Sequence, residues 1–166
     1  MNCDQLIVQI GLGYMQALEA LYDELYSAVY GFLLSIVRDA ELAADLSQDT
    51  FVKVYQNASK FHTQGQGKAW VMKIARNLAF DELKRRKREQ PAEFLPEDSG
   101  YDHESILYLK QNLAMLSPSE RRLVMLKAYG YSHKEIARIE GLPQGTVRWQ
   151  YAKAMKKLKE MQNITI

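Results

Sequence analysis

The side chains in this sequence that point most clearly to a binding function are lysines and arginines, which occur in two blocks. Residues 68–88 hold eight Lys or Arg against Asp81 and Glu82, a net charge of +6. Residues 105–166 hold eleven Lys or Arg against four acids, a net charge of +7. Between them, residues 89–104 contain six acids and no Lys or Arg. Two basic blocks separated by an acidic strip indicate two anion-facing surfaces that are held apart.

The sequence does not contain the residue patterns of a metal site or of a dinucleotide-binding site. The three histidines and Cys3 do not have the spacing of metal ligands. The segment Gly11-Leu-Gly13 lacks the third glycine and the preceding strand of a dinucleotide-binding loop. We therefore expect a protein that binds rather than catalyses, without a catalytic residue, a cofactor or a metal.

The composition is that of a globular protein, with 47% hydrophobic and 25% charged residues in a chain of 166. The longest uncharged apolar stretch, Leu25 to Val37, is shorter than the roughly 18 residues that a membrane span needs. No basic segment typical of a signal peptide occurs, since the first Lys or Arg is Arg38. These features predict a soluble cytoplasmic protein that makes no membrane contact of its own.

The basic blocks must be positioned by helices, because apolar residues recur at steps of three and four and strand-like alternation is absent. The segment 89–104 contains Pro91 and Pro96 and cannot support a continuous helix. We predict an all-α protein with a three- or four-helix domain at 1–88, a flexible acidic linker at 89–104 and a second helical domain at 105–166. The apolar positions predicted to face the first core include Leu18, Leu21, Tyr22, Leu25, Val29, Phe32, Leu33, Ile36, Leu42, Leu46, Phe51, Val54 and Tyr55.

The second domain contains the pattern of a helix-turn-helix. Two helix starts, at Ser117 and Ser132, each have a glutamate three residues later as a capping-box partner. Gly141 suits the turn between two helices, because glycine adopts a positive φ without strain. In this motif the second helix lies in the major groove of DNA. The alternative is a three-helix scaffold with solvated lysines, and Glu140 departs from the motif because an apolar residue is usual there.

Four segments, taken in their order and spacing, resemble an extracytoplasmic function (ECF, group 4) sigma factor of the sigma-70 family. The resemblance covers the chain from about Gln16 to Lys159, and it implies a dissociable subunit that directs core RNA polymerase to promoter DNA by reading the −10 and −35 elements. It also implies an anti-sigma factor as a partner. The segments are Tyr22-Asp-Glu-Leu-Tyr26, Ala44-Asp-Leu-Ser-Gln-Asp-Thr-Phe51, Lys68-Ala-Trp-Val-Met-Lys-Ile-Ala-Arg-Asn-Leu-Ala79 and Leu142-Pro-Gln-Gly-Thr-Val-Arg148.

The resemblance implies that Asp45, Gln48 and Asp49 bind core RNA polymerase, on the clamp helices of its largest subunit. Their spacing of three and four residues places them on one helix face. Two carboxylates and an amide there could form charge-assisted hydrogen bonds with a basic partner. The alternative is an ordinary solvated helix face.

The resemblance assigns the −10 element to the segment from Phe61 to Arg88, in which the loop Phe61–Gly67 would receive an unstacked base. Asn77 can both donate to and accept from a base edge, although local capping is an equal alternative. Trp70 is expected in the core. The predicted −10 contacts are Phe61, Lys68, Lys73, Arg76, Asn77, Lys84 and Arg85.

The −35 element falls to the helix-turn-helix, where Arg148 could address guanine bidentately and lysines act as point charges. Trp149 could contact a thymine methyl group or pack inside the domain. The acidic linker suits either a path through the polymerase or a solvated tether. A free-standing repressor and an RNA-binding protein remain alternatives for the whole chain. The predicted −35 contacts are Thr146, Arg148, Trp149, Lys153, Lys156 and Lys157.

Overall fold

The computed structural model describes residues 1–89 and 113–164, with no side-chain detail for the last two of these. The expected linker at 89–104 therefore lies, apart from Glu89, outside the described residues. The chain divides into two compact units, Met1–Glu97 and Asp98–Ile166. Across the described ranges the regular structure is helical and no β-strand occurs. The prediction of an all-α fold is confirmed.

The first unit is a helical bundle built around its second helix. This long helix packs against the three other α-helices of the unit, and its residues Leu21, Val29, Phe32 and Leu33 have no exposed surface. Burial of this kind is the main force that holds a small helical unit together. The elements are α1 (Cys3–Gly11), α2 (Met15–Val37), α3 (Ala40–Asn57), a 3-10 turn (Ala58–Lys60) and α4 (Gly67–Glu89).

Helix α2 also passes a test of length and composition for a membrane span, with a mean hydropathy of 1.2 over an 18-residue window. The prediction from the uncharged stretch alone did not anticipate this result. The apolar face of α2 lies against the neighbouring helices of the unit. A helix that packs in a core can have the same length and composition as a membrane span, and α2 packs against α1, α3 and α4.

The second unit has the predicted helix-turn-helix. At its first helix start, Ser117 Oγ accepts from the backbone N–H of Glu120 at 3.2 Å, and the Glu120 carboxylate accepts from the Ser117 N–H at 3.0 Å. The same reciprocal pair forms between Ser132 and Glu135. Gly141 ends the middle helix in the left-handed conformation with a φ of 67°. The helices are α5 (Pro118–Ala128), α6 (His133–Glu140) and α7 (Gln144–Ile164).

Glu140, which departs from the usual apolar pattern, is explained by an ion pair inside the unit. Its side chain is 1% exposed, and its carboxylate accepts from Nε and Nη2 of Arg122 on α5 at 3.0–3.1 Å. A buried carboxylate is tolerated when a guanidinium pairs with it in this bidentate geometry. The pair connects the end of α6 to α5 and so helps to position the turn before α7.

Candidate docking and nucleic-acid surfaces

Helix α3 presents a polar face that points away from the bundle. Asp45, Gln48 and Asp49 are exposed, and within the part of the chain that the structure describes their side chains have no hydrogen-bond or ion-pair partner. The opposite face of α3 is buried through Leu46 and Phe51, among others. The three residues therefore share one free face, as their spacing predicts, and that face can accept hydrogen bonds from a basic partner.

An apolar groove of about 450 Å³ continues from this polar face. It lies between α2 and α3, and Gln48 belongs to both surfaces. Tyr22 and Tyr55 were predicted in the core, which is wrong, because they are 36% and 49% exposed. The Tyr22 ring lies 4.8 Å from the Phe51 ring between their centroids. The residues that line the groove are Met15, Leu18, Glu19, Tyr22, Gln48, Phe51, Val52 and Tyr55.

A second, more polar groove of about 430 Å³ runs between α3 and α4. Asn77 is exposed on its wall, in the middle of α4, and its side chain forms no capping hydrogen bond within the described ranges. Trp70 is only half-buried, and its ring lies 5.1 Å from the ring of Phe61. The residues that line this groove are Lys53, Asn57, Lys60, Trp70, Ile74, Asn77, Leu78 and Asp81.

The basic residues of α4 differ in what they contact within the protein. Lys73 and Lys84 are exposed. Lys68 Nζ lies 3.5 Å from a carboxylate oxygen of Glu24, and the Arg76 guanidinium lies 4.5 Å from the centroid of the Phe80 ring. The three lysines are exposed and Arg76 is half-buried, so the lysines are the more accessible groups for neutralising phosphate charge.

Arg85, at the end of α4, is held by two carboxylates of the same helix. Its guanidinium donates to Glu82 at 2.7 and 2.9 Å and to Glu89 at 2.6 Å. Hydrogen bonds from Arg85 lower the pKa of Glu82 to about 2. Binding of a phosphate by Arg85 therefore has to compete with these exposed ion pairs, which are individually weak.

The outer face of α7 carries the residues predicted to read DNA. Arg148, Lys153 and Lys156 are exposed and Thr146 is half-buried. Trp149 is 63% exposed, so it does not pack inside the unit, and Lys153 Nζ lies 5.2 Å from its ring centroid. On the inner face Val147 is fully buried. Helix α7 therefore has the buried face and the basic outer face of a recognition helix.

Lys157 differs from the other predicted contacts because it is engaged inside the unit. Its Nζ donates to both carboxylate oxygens of Glu120 at 2.9 and 3.0 Å. Burial of Glu120 opposes its ionisation, but hydrogen bonds from Lys157 and Ser117 outweigh this effect and lower its pKa. Lys157 thus connects α7 to the start of α5, and sequence periodicity alone did not reveal this pair.

Metal binding finds no support in the described ranges, in which no cluster of three or more His, Cys, Asp or Glu side chains could hold an ion. The surfaces in these ranges are two basic helix faces, one acidic helix face and two grooves. They suit binding to a basic protein surface and to polyanions.

Comparison with known families matches both units. Residues 21–89 match the family described as Sigma-70 region 2, and residues 106–158 match the family described as Sigma-70, region 4. The first match begins within α2 and contains α3 and α4, and the second contains α5, α6 and α7 as far as Leu158. Helix α1 lies before the first match.

Whole-chain relatives lead to the same family. The RNA polymerase sigma factor CarQ of Myxococcus xanthus is 32% identical over 160 residues, which cover 90% of this chain and 91% of CarQ. The ECF RNA polymerase sigma factor RpoE of Cereibacter sphaeroides is 29% identical and covers 86% of each chain. The sigma factor RpoE from Bartonella quintana, solved with the anti-sigma factor NepR, aligns with a TM-score of 0.78 at 25% identity over 88% of this chain and 96% of RpoE. The chain therefore belongs to the sigma-70 family, in its extracytoplasmic function group, and is an RNA polymerase sigma factor that directs promoter-specific initiation.

Proposed function

We propose that the two helical units of this sigma factor bind different parts of the initiation complex. The first unit (1–88) binds core polymerase and the −10 element, and the second unit (105–166) binds the −35 element. The observation that carries this proposal is the separation of one acidic and two basic surfaces among the described residues. Residues 89–104 would connect the units. The chain would act in the cytoplasm as a specificity subunit and not as an enzyme.

Core polymerase would bind the polar face of Asp45, Gln48 and Asp49 on α3. The apolar groove beside it extends this surface, because Val52 and Tyr55 leave about half of their surface open. A combination of free carboxylates and exposed aromatic surface is typical of a protein interface with a charged rim and an apolar centre. The partner would be the clamp helices of the largest polymerase subunit.

The −10 element would occupy the groove between α3 and α4 and the loop from Phe61 to Gly67. Asn77 supports this proposal because it lies exposed on the groove wall without a capping role in the described structure. The aromatic pair Phe61 and Trp70 offers a surface for a base, and stacking of one base is worth about 1–3 kcal/mol. Phosphates would be neutralised by Lys68, Lys73, Arg76, Lys84 and Arg85.

The −35 element would be read by α7. Arg148 is the candidate for a guanine, Trp149 for a thymine methyl group, and Thr146, Lys153 and Lys156 for the phosphates. Lys157 would have to leave the Glu120 carboxylate to bind a phosphate, as Arg85 would have to leave Glu82 and Glu89. An anti-sigma factor would be a further partner, since the Bartonella quintana relative was solved in complex with the anti-sigma factor NepR.

Reconstitution with core RNA polymerase tests the proposal. The chain should co-elute with core polymerase in size-exclusion chromatography, should bind promoter duplex weakly alone, and should support run-off transcription from specific genomic fragments. A repressor would instead dimerise and bind a palindrome unaided, and an RNA-binding protein would bind structured RNA without core polymerase. Either of these results without core binding contradicts the proposal.

A further inference from the structure

The first helix, α1, contacts both ends of the loop that connects the 3-10 turn to α4. Before the loop, Gly11 lies so close to the turn that an added Cβ would be 3.0 Å from the carbonyl carbon and oxygen of Ala58. After the loop, an added Cβ on Gly67 would be 2.7 Å from Oδ1 of Asp4. Helix α1 is itself anchored by buried Leu6, Ile7 and Ile10. The loop 61–66 is therefore braced at its two ends by one rigid element.

The contact at the far end of the loop is made by a single carboxylate. Asp4 Oδ2 accepts from the backbone N–H of Gly65 at 2.7 Å, and Asp4 Oδ1 accepts from the backbone N–H of Gly67 at 2.7 Å. Both bonds are charge-assisted and short, so they are stronger than ordinary backbone contacts. Gly65 has a φ of 68°, a left-handed conformation in which the chain turns just before α4 begins at Gly67.

The acceptor also lies at a favourable position for a negative charge. Gly67 is the first residue of α4, and a carboxylate at a helix N-terminus is stabilised by the free N–H groups there. A neighbouring contact supports the same arrangement, because the Glu24 carboxylate of α2 lies 3.3 Å from Cys3 Sγ and 3.5 Å from Lys68 Nζ. The start of α1 and the start of α4 are thus held together through two carboxylates.

We propose that Asp4 is a positioning residue that orders the 61–66 loop, so that the loop is shaped to receive an unstacked −10 base before DNA arrives. This inference rests on the proposed function of that loop. The residues of the loop from His62 to Gly65 are exposed. Its other contacts include a 3.4 Å hydrogen bond from Gln66 to Gln64 and the ring contact of Phe61 with Trp70. The two bonds to Asp4 are what attach the end of the loop to α1. Ordering the loop in advance removes an entropy cost from base capture.

The test uses holoenzyme assembled from full-length Asp4→Asn protein and core polymerase. Asparagine has the shape of aspartate but offers one acceptor oxygen, so it can bond to one of the two glycine N–H groups and not to both. Asp23→Asn, an exposed carboxylate on α2, is the matched control. The probe is a promoter duplex from the run-off assay in which each −10 position of the non-template strand is made abasic in turn.

With wild-type and Asp23→Asn holoenzyme, we expect open-complex formation to fall by about tenfold or more when the captured base is missing, as loss of one stacked base implies. With Asp4→Asn, the intact promoter should itself lose a similar factor, and removal of the base should then change little. Hydrogen exchange of the Gly65 and Gly67 amides should accelerate in Asp4→Asn, whereas that of the α3 amides and the core-binding affinity should stay unchanged.

Three results would count against the inference, and one of them separates it from the proposed function. Asp4→Asn holoenzyme that discriminates against the abasic site as strongly as wild type overturns the role of Asp4 alone. Loss of thermal stability and core binding together in Asp4→Asn makes Asp4 a residue of the fold only, which also overturns it. Wild-type holoenzyme that is indifferent to every abasic position overturns the proposed function of the loop, whatever the variants do.

Discussion

Asn77 is the side chain that best supports the proposed binding of the −10 element between α3 and α4, because it is polar, exposed and forms no side-chain hydrogen bond within the described residues. Replacing Asn77 by Ala should weaken open-complex formation on a duplex promoter, because it removes a base contact worth about 1–3 kcal/mol. The defect should be smaller on a template that is already mismatched at −10, because unstacking then costs nothing. Potassium permanganate footprinting of both templates measures this difference.

Gln56→Ala, an exposed amide on α3 outside that groove, is the control for the loss of a polar side chain. It should leave both templates unaffected. Equal defects of Asn77→Ala on duplex and mismatched templates would mean that Asn77 acts through the protein structure and not through a base that becomes unstacked.

Arg148 and Lys156 on α7 are both exposed, but they differ in the information that they can read. Replacing Arg148 by Ala should remove about 1–3 kcal/mol of discrimination among −35 variants, since a guanidinium can bond two acceptors of guanine. Replacing Lys156 by Ala should weaken binding evenly across sequences and lower the salt dependence by about one ion. Titration of each holoenzyme against a series of −35 variants measures both effects. If Arg148→Ala keeps the wild-type preference among these variants, Arg148 does not contact a −35 base.

His133 at the start of α6 gives the second unit a dependence on pH. Burial and the nearby charges of Lys127 and Arg148 lower the pKa of His133 below its ordinary value of 6.5. The unfolded chain then binds more protons than the folded chain as the pH falls below about 6.5, so stability decreases in that direction. Thermal melts between pH 7.5 and pH 5.5 should show a steeper loss for wild type than for His133→Gln, and parallel curves would refute this.

At the scale of elements, the connection of α5 to α6 depends on the ion pair of Arg122 and Glu140. Replacing Glu140 by Leu leaves a largely buried guanidinium without this partner, which should cost about 3–5 kcal/mol of unfolding free energy. Changing both residues to Leu should recover most of this loss, because apolar side chains can replace a buried pair. Urea melts of wild type, Glu140→Leu and the double variant measure these free energies of unfolding. A double variant that is no more stable than Glu140→Leu would show that apolar side chains cannot replace the ion pair.

Sequence patterns predicted those parts of the elements that depend on neighbours in the chain. The capping boxes at Ser117 and Ser132 and the left-handed Gly141 were predictable, because a cap or a turn is decided by residues three or four positions apart. The exposure of Tyr22 and Tyr55 was not, because periodicity shows that a helix has an apolar stripe and not which part of it a neighbour covers.

Contacts between distant residues were also outside the reach of sequence patterns. The pair of Lys157 and Glu120 spans 37 residues, and the bonds from Gly65 and Gly67 to Asp4 span 61 and 63 residues. The free polar face of α3 was predictable, since the spacing of Asp45, Gln48 and Asp49 places them on one side of any helix. The apolar groove that continues this face was not predictable, because it is formed by the packing of α2 on α3.

At the scale of the whole molecule, the acidic and basic surfaces lie on different helices, as the proposed division between partners requires. The free carboxylates of α3 lie in the acidic N-terminal part of the chain, whereas the basic faces belong to α4 and α7. An acidic face favours a basic protein surface and disfavours DNA, so the charges support the proposed arrangement in which α3 binds polymerase and α4 binds the promoter.

The triple replacement of Asp45, Gln48 and Asp49 by Ala tests this division for the complete protein. Exposed substitutions typically shift stability by less than about 0.5 kcal/mol each, so helicity and the melting temperature should stay near wild type. Loss of interfacial charge partners costs about 2–5 kcal/mol of affinity, so core binding and promoter-specific transcription should fall together by at least about tenfold. A triple replacement of Asp23, Glu41 and Gln56, which are also two acids and an amide at exposed positions, should leave both activities unchanged.

The joint measurement distinguishes a docking face from an indirect effect. If the face acts only in docking, a large excess of the triple variant over core polymerase should restore transcription with the wild-type preference among −35 sequences, because α7 is unaltered. A well-folded triple variant with undiminished core binding would remove α3 from the interface. A variant that binds core polymerase but has lost its −35 preference would show that the two units do not divide recognition as proposed.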